Sequence, residues 1–298
     1  MPPRALEEAL ASLASGAAAS VHLGGFQLGD QDVELLAAAL ERDTVVSSLH
    51  LWNNAIGVQG ASRLAQALES NCAVTRLDLS DNRLGDEGAA RLAAALARSA
   101  SLASLSLGAN GIGNAGAEPL AAALEGHIGL TRLDLFRNSL EDEGASQLAA
   151  ALERNSALVS LDLFGNRIGP YGGWRLAEAL QHNVALTSLD LGANNIGDED
   201  AVRLAAALER NRAGVRVATV HCSPQPGFCR VVCTGMGGEE VASLDMGLGD
   251  GLAALCAALS AQTGHAGHWR LLLPDGGLLH ETDLDLAILL HEAPGPET

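Results

Sequence analysis

The chain predicts an α/β fold: stacked strand–helix units of 28 residues, then a small α+β domain. Three observations carry this expectation. A motif recurs every 28 residues, hydrophobic spacing changes from two to about four within each unit, and the period stops near Arg212. The motif reads apolar, two variable, Leu, one variable, Leu, two variable, Asn, one variable, Ile or Leu. It starts at Val46, Val74, Leu102, Leu130, Leu158 and Leu186, and self-similarity at a fixed period marks a repeat architecture. The asparagines form a column, Asn54, Asn82, Asn110, Asn138, Asn166 and Asn194. A degenerate copy starts at Ala18, with Phe26 where asparagine belongs.

The first half of each unit has the strand's period of two, with two leucines inward and their neighbours outward. The second half is helical: Leu64 and Leu68, Leu92 and Leu96, and Leu148 and Leu152 lie four apart among Gly and Ala. Asp86, Asn114, Asp142 and Asp198 precede helices and are expected to cap them. Asn71, Asn155, Asn183 and Asn211 are expected to end helices in the left-handed region. Gly57, Gly85, Gly113, Gly169 and Gly197 are expected to make the strand-to-helix turn, a column that Glu141 interrupts. Before the repeats, Leu6, Leu10 and Leu13 predict a capping helix within residues 1–17.

The stretch "LTSLDLGANNIGDEDAVRLAAALERN" (Leu186 to Asn211) closely resembles ribonuclease-inhibitor-type leucine-rich repeats, the class also found in Nod-like receptors and Ran GTPase-activating proteins. The resemblance covers about Ala18 to Arg212 and implies a curved solenoid, with the parallel sheet on the concave face and helices outside. It also implies that the asparagine column hydrogen-bonds the backbone of neighbouring turns.

Three outward columns then face a partner. One reads His22, His50, Asp78, Ser106, Asp134, Asp162, Asp190; the next Gly24, Trp52, Ser80, Gly108, Phe136, Phe164, Gly192. A third reads Ser20, Ser48, Arg76, Ser104, Arg132, Ser160, Ser188. The chain has only four phenylalanines, and two share this face. At roughly 4.8 Å between strands, Phe136 and Phe164 are expected side by side, with Arg132 and Arg137 near. Aromatics with arginine are the types enriched in binding hot spots; lateral packing between repeats is the other reading. Asp134, Asp162 and Asp190 repel weakly in water, below about 1 kcal/mol per pair, with Arg132 and Arg167 placed to offset this. The row is either a solvated acidic face or a strip for a basic partner. The candidate binding residues are Trp52, Asp78, Arg132, Asp134, Phe136, Arg137, Asp162, Phe164, Arg167 and Asp190. His22, His50 and Asp78 are of metal-binding types, but nothing nearby would orient them, so no metal site or cofactor is expected.

Charge narrows the partner. The net charge is −18 and every basic residue is arginine. Phosphate is repelled, so neither nucleic acid nor an anionic membrane suits this chain, and a protein with a basic surface does. Five cysteines in no framework spacing fit a reducing, cytoplasmic setting. Glu7 and Glu8 stand where a signal peptide needs an apolar run, and no stretch approaches a membrane span.

After the repeats, Val215–His221 reads as a strand closing the solenoid at 221, and residues 222–228 as a linker. Residues 229–298 read as strand, turn, strand, a helix at 250–262, a hairpin around "LLLPDGGLL" (Leu271 to Leu279), a last strand and a frayed tail. That order resembles a ubiquitin-like β-grasp, which, ending in "PGPET" and without lysine, would dock rather than tag; a plain solenoid cap is the alternative. Cys222, Cys229 and Cys233 match no strong zinc signature, and buried thiols are the expected state.

No nucleophile elbow, phosphate-binding loop or carboxylate pair appears, so a non-enzymatic scaffold or adaptor is expected, binding protein in its concave face. The repeat resemblance adds one alternative, a GTPase-activating protein with a small GTPase as partner, and the C-terminal resemblance adds another, an adaptor of the ubiquitin pathway.

Overall fold

A computed structural model of the chain describes residues 4–99, 101–214, 216–225, 228–235, 240–246 and 269–272, with side chains to residue 211. It divides into two units, residues 1–211 and 212–298.

The first unit opens with helix α1 (Arg4–Ser15), whose Leu6 and Leu13 are buried. Seven strands follow: β1 (Ser20–His22), β2 (Ser48–His50), β3 (Arg76–Asp78), β4 (Ser104–Ser106), β5 (Arg132–Asp134), β6 (Ser160–Asp162) and β7 (Ser188–Asp190). Between them run α2 (Asp30–Leu40), α3 (Val58–Ser70), α4 (Gly85–Leu96), α5 (Asn114–Gly126), α6 (Asp142–Leu152) and α7 (Pro170–His182), and α8 (Asp198–Gly214) comes last. The strands form one parallel sheet in chain order. Leu49 pairs with Leu77, Leu77 with Leu105, Leu105 with Leu133 and Leu133 with Leu161, so every step is one 28-residue repeat.

Strands β1 to β6 bury their middle residue and the leucine that follows it, and β7 does so only in part; Leu133, Leu135, Leu161 and Leu163 are all essentially inaccessible. Helix positions such as Leu64, Leu92, Leu120 and Leu148 close the other side of the same core. A fully buried leucine stabilises by roughly 1.5–3 kcal/mol, so each turn adds a similar increment to its neighbours. The flanking strand residues, Arg132 and Asp134 for example, lie on the face opposite the helices, called the open face below.

The asparagine column fixes the step between turns. Asn138 donates from Nδ2 to the carbonyls of Leu107 (3.0 Å) and Leu135 (3.0 Å), and its Oδ1 accepts from the amides of Asn110 (2.9 Å) and Ile112 (3.0 Å). Asn82, Asn110 and Asn166 each donate to the preceding turn in the same way and are buried. Asn54 and Asn194, towards the two ends, make the same bonds with partial exposure. Just before each asparagine the chain turns left-handed: φ is +52° at Asn53, +55° at Asp81, +52° at Ala109, +49° at Arg137 and +54° at Ala193. Left-handed residues with a side chain cost roughly 1–2 kcal/mol each, and the ladder supplies the compensation.

The expected turn glycines do stand at the helix starts. Gly85 is left-handed, with φ of +59°, whereas Gly57, Gly113 and Gly169 are extended, with φ between −94° and −107°, a conformation any residue adopts; Glu141 adopts it too. The helix ends differ from expectation. Asn71 and Asn183 are extended rather than left-handed, with φ of −87° and −74°. Their side chains form a second ladder: Asn155 donates to the carbonyls of Leu124 and His127 and accepts from the amides of Ala157 and Leu158. At Asn211 the helix runs on to Gly214, and the Oδ1 that accepts two amides in the earlier turns has no partner among the described residues.

The caps cross between repeats. Asp86 Oδ1 accepts from the amides of Gly113 (2.6 Å) and Gly116 (3.0 Å), at the start of the next helix, not its own. Asp30, Asn114 and Asp142 do the same one turn on. The carboxylate or amide thus satisfies free N–H groups while tying adjacent helices together. Val58 stands in this position in its repeat, and the next helix, α4, starts without a side-chain cap.

His127 replaces asparagine in the second ladder. Its Nδ1 accepts from the amides of Gly129 (3.1 Å) and Leu130 (2.8 Å), and its Nε2 lies 2.9 Å from the carbonyl of Ser99. Those partners require a neutral ring protonated on Nε2. Burial holds its pKa below the ordinary 6.5, against the smaller upward pull of the Ser99 carbonyl.

The second unit holds β8 (Arg216–Gln225), β9 (Phe228–Gly235), β10 (Glu240–Met246) and β11 (Trp269–Leu272) in the order β10-β9-β8-β11. β8 and β9, and β9 and β10, are antiparallel, whereas β11 runs parallel to β8. The expected closing strand of the solenoid thus pairs within the second unit, and of the expected linker residues 222–225 are part of β8 and Phe228 of β9. The expected helix at 250–262, the return of the hairpin, the last strand and the tail lie outside the described residues, and the ubiquitin-like expectation goes with them.

Two outcomes follow from the ladders. Asn138→Ala orphans buried backbone groups at about 1–3 kcal/mol each, so chemical denaturation should show a loss of about 3 kcal/mol or more. His127→Asn should keep the fold at pH 7.4 and remove an acid sensitivity. The folded ring's pKa is depressed, so its contribution is complete above the ordinary 6.5 and is lost as pH falls through 6.5 towards the folded value. Thermal midpoints from pH 7.5 to 5 should therefore fall less for the variant than for the wild type.

Candidate protein-binding face

The period of two that buries Leu133 and Leu135 turns Arg132, Asp134 and Phe136 onto the open face. Strand register then stacks them: Asp134 pairs with Asp162 and Asp162 with Asp190. Asp78, two strands before Asp134, lies across Ser106.

The aspartates have a structural task. Asp78, Asp134, Asp162 and Asp190 each accept, through Oδ1, the amide two residues on, that of Ser80 (3.0 Å), Phe136 (2.9 Å), Phe164 (2.8 Å) and Gly192 (2.8 Å). An aspartate reaching two residues ahead is a common local turn, and it serves an amide at the strand end. The second oxygen of Asp134, Asp162 and Asp190 has no hydrogen-bond partner among the described residues. Asp134 is half-buried, and burial is the main reason its pKa rises from 3.8 to about 6. The Phe136 amide pulls it down, Asp162 and Asp78 push it up, and Arg132 lowers it slightly.

The expected compensation by arginine takes a looser form. Arg132, Arg137 and Arg167 are exposed, and none makes an ion pair among the described residues. Arg132 acts on Asp134 only through space. Arg137 occupies the left-handed turn beside Phe136, and Arg167 follows Asn166 at the same end of the strands.

The aromatic rings do not stand side by side. Phe136 lies over Gly108 of the preceding repeat, where an added Cβ would run into its ring. Phe164 turns the other way, over Gly192, where an added Cβ would fall 2.9 Å from ring carbon Cδ2. Trp52 covers Gly24 in the same manner. No ring contact joins Phe136 to Phe164 among the described residues. Each ring thus packs against a glycine of a neighbouring repeat and stays partly exposed. Trp52 is 45% and Phe164 36% exposed, and Phe136 is partly buried. The sequence signal was there, since each aromatic stands beside a glycine in its column.

At the other end of the face His22 and His50 stack, ring centroids 4.5 Å apart and 5° from parallel. Ser20 and Ser48 hydroxyls each lie 3.0 Å from an Nε2. Burial lowers the pKa of His50, helped by His22 and opposed by Asp78. Asp78 is engaged with Ser80, and no group of three or more metal-binding side chains occurs among the described residues. Nor, among these residues, is any helix long and apolar enough to cross a membrane.

Comparison with known proteins agrees with this geometry. A profile described as "Leucine Rich repeat" matches residues 70–93, 98–121, 130–149, 154–176 and 182–205. Residues 70–205 therefore carry leucine-rich repeats, and the parallel sheet with alternating helices is that of a leucine-rich repeat solenoid. Among solved structures, the chain is similar to the tropomodulin C-terminal domain of Caenorhabditis elegans at 21% identity and a TM-score of 0.40, covering 43% of this chain and 77% of that one. It is also similar to a structure titled leiomodin-1 actin-binding site 2, at 16% identity and a TM-score of 0.35, covering 71% and 91%. Likenesses this distant say nothing of what this chain binds. No curated protein sequence matches the chain.

The raised pKa gives a testable sign. The folded chain holds the Asp134 proton more tightly than the unfolded chain, so its stabilising effect is present below pH 3.8 and is lost as pH rises through about 6. Asp134→Asn keeps an oxygen for the Phe136 amide and removes the charge. Its thermal midpoint should exceed that of the wild type at pH 8, and the advantage should vanish towards pH 4.

Proposed function

We propose that this chain is a non-enzymatic scaffold that binds a partner protein with a basic surface on the open face of its repeats. The observation that carries this reading is the pairing of half-open rings with a row of half-free carboxylates. Phe136 and Phe164 are held by packing on Gly108 and Gly192, and their rotamers are restricted before any partner arrives. Binding then orders little, and little entropy is lost. The aspartates are likewise held by the amides they accept, with one oxygen each to spare. The strong negative charge favours encounter with basic proteins and makes association salt-dependent. Trp52, Arg132, Arg137 and Arg167 border the same face and complete the contact surface.

The reading is tested by affinity capture from a cell extract, wild type against Phe136→Ala/Phe164→Ala. Buried aromatic anchors are worth about 2 kcal/mol or more each, so the double variant should lose its captured protein while its far-UV circular dichroism is unchanged. Capture at wild-type level by a folded double variant would refute the assignment.

A further inference from the structure

We infer that the segment of the partner seated on this face is a basic amphipathic α-helix lying across strands β4 to β7. The inference rests on the proposed function and goes further, to the shape and chemistry of the occupant.

The rings turn apart, and this makes one apolar strip. Phe136 reaches back over Gly108 in the fourth repeat of the sheet, and Phe164 reaches forward over Gly192 in the seventh. The strip therefore crosses three strand intervals, about 14 Å at roughly 4.8 Å each. A helix of about 10 residues has that length at 1.5 Å per residue. Beside the strip, two residues earlier on each strand, runs the row Asp134, Asp162 and Asp190. Two residues of strand are about 6.6 Å, so a helix about 10 Å wide covers both rows. On the other side of the strip stand Arg137 and Arg167. The matching helix carries an apolar stripe, Lys or Arg on the flank over the aspartates, and neutral or acidic residues on the flank over the arginines.

Backbone chemistry favours a helix over an extended peptide. Strands β4, β5 and β6 are each paired on both sides, so their amides and carbonyls serve the sheet. An extended peptide laid across this face would press its own unpaired N–H and C=O groups against phenyl rings and find no ladder to join. A helix brings its backbone bonds with it. The spare oxygens are spaced by the strands, close to the 5–6 Å between helix positions i and i+4, and flexible basic side chains absorb the difference.

The test uses the full chain and a phage library of random 18-residue peptides. Selection is for wild-type protein and against Asp162→Asn/Asp190→Asn, a variant whose amide oxygens still serve the Phe164 and Gly192 amides. The enriched peptides should show apolar residues at a period of about 3.6, with Lys or Arg on one flank. The best of them, made synthetically, should gain helical circular dichroism on binding. Its affinity should drop at least 10-fold in the aspartate variant and in Phe136→Ala/Phe164→Ala. Enriched peptides with a period of two, no periodicity, no enrichment, or equal binding by the aspartate variant would each overturn the inference. If extract capture still depends on the phenylalanines in those cases, the binding face stands and only its helical occupant is wrong; if capture is also indifferent to them, both fall.

Discussion

The amide of one asparagine per repeat, spent on two turns at once, is the constraint on which the rest of the molecule depends. Each bridges its own strand end and that of the preceding repeat; in Asn138 a single side chain makes four such bonds. With these bonds in place the preceding residue can hold a left-handed turn even when it is arginine or alanine. The turn sets the direction of chain leaving the strand, and so sets the register of the next. Leucine burial supplies most of the stabilising free energy, but leucines alone tolerate slippage; the directional bonds fix the step at 28 residues.

Once the step is fixed, the open face follows from strand geometry. Side chains stack in columns, and each column meets its own physical problem. Aspartates repel their neighbours, and the strand-end amides that they accept hold them in place. Aromatics in water are costly, and glycines in the flanking repeats give each ring a surface to cover. Both solutions leave residual unsatisfied character: a spare oxygen on Asp134, Asp162 and Asp190, and rings that stay partly exposed.

Much of this was legible in the sequence because a 28-residue period superimposes seven copies of the same physics. The buried leucines, the outward columns and the asparagine column all follow from spacing alone. What spacing did not show was direction along the solenoid. Asp86 looked like the cap of its own helix because it stands at that helix's start, yet it serves Gly113 and Gly116, 27 and 30 residues on. A reading local in sequence cannot distinguish these, since both place a carboxylate near a helix N-terminus. The left-handed column was not visible because, in the six full repeats, only Gly165 marks it with a glycine, whereas Asn53, Asp81, Ala109, Arg137 and Ala193 occupy its other positions. Phe136 and Phe164 were expected to meet because adjacent strands place their Cα atoms close in one column. A side chain with two free torsions goes where there is room, and Gly108 and Gly192 provide it on opposite sides.

The central claim is that the two rings part, each half-open on its own glycine. Fluorine NMR of the chain grown with fluorophenylalanine addresses it directly, since four phenylalanines give four resonances. The Phe136 and Phe164 signals should both show partial solvent isotope shifts between water and heavy water, and Gly108→Ala should displace the Phe136 signal while leaving that of Phe164 in place. Two solvent-shielded resonances, or a Gly108→Ala substitution that moved both together, would contradict the account.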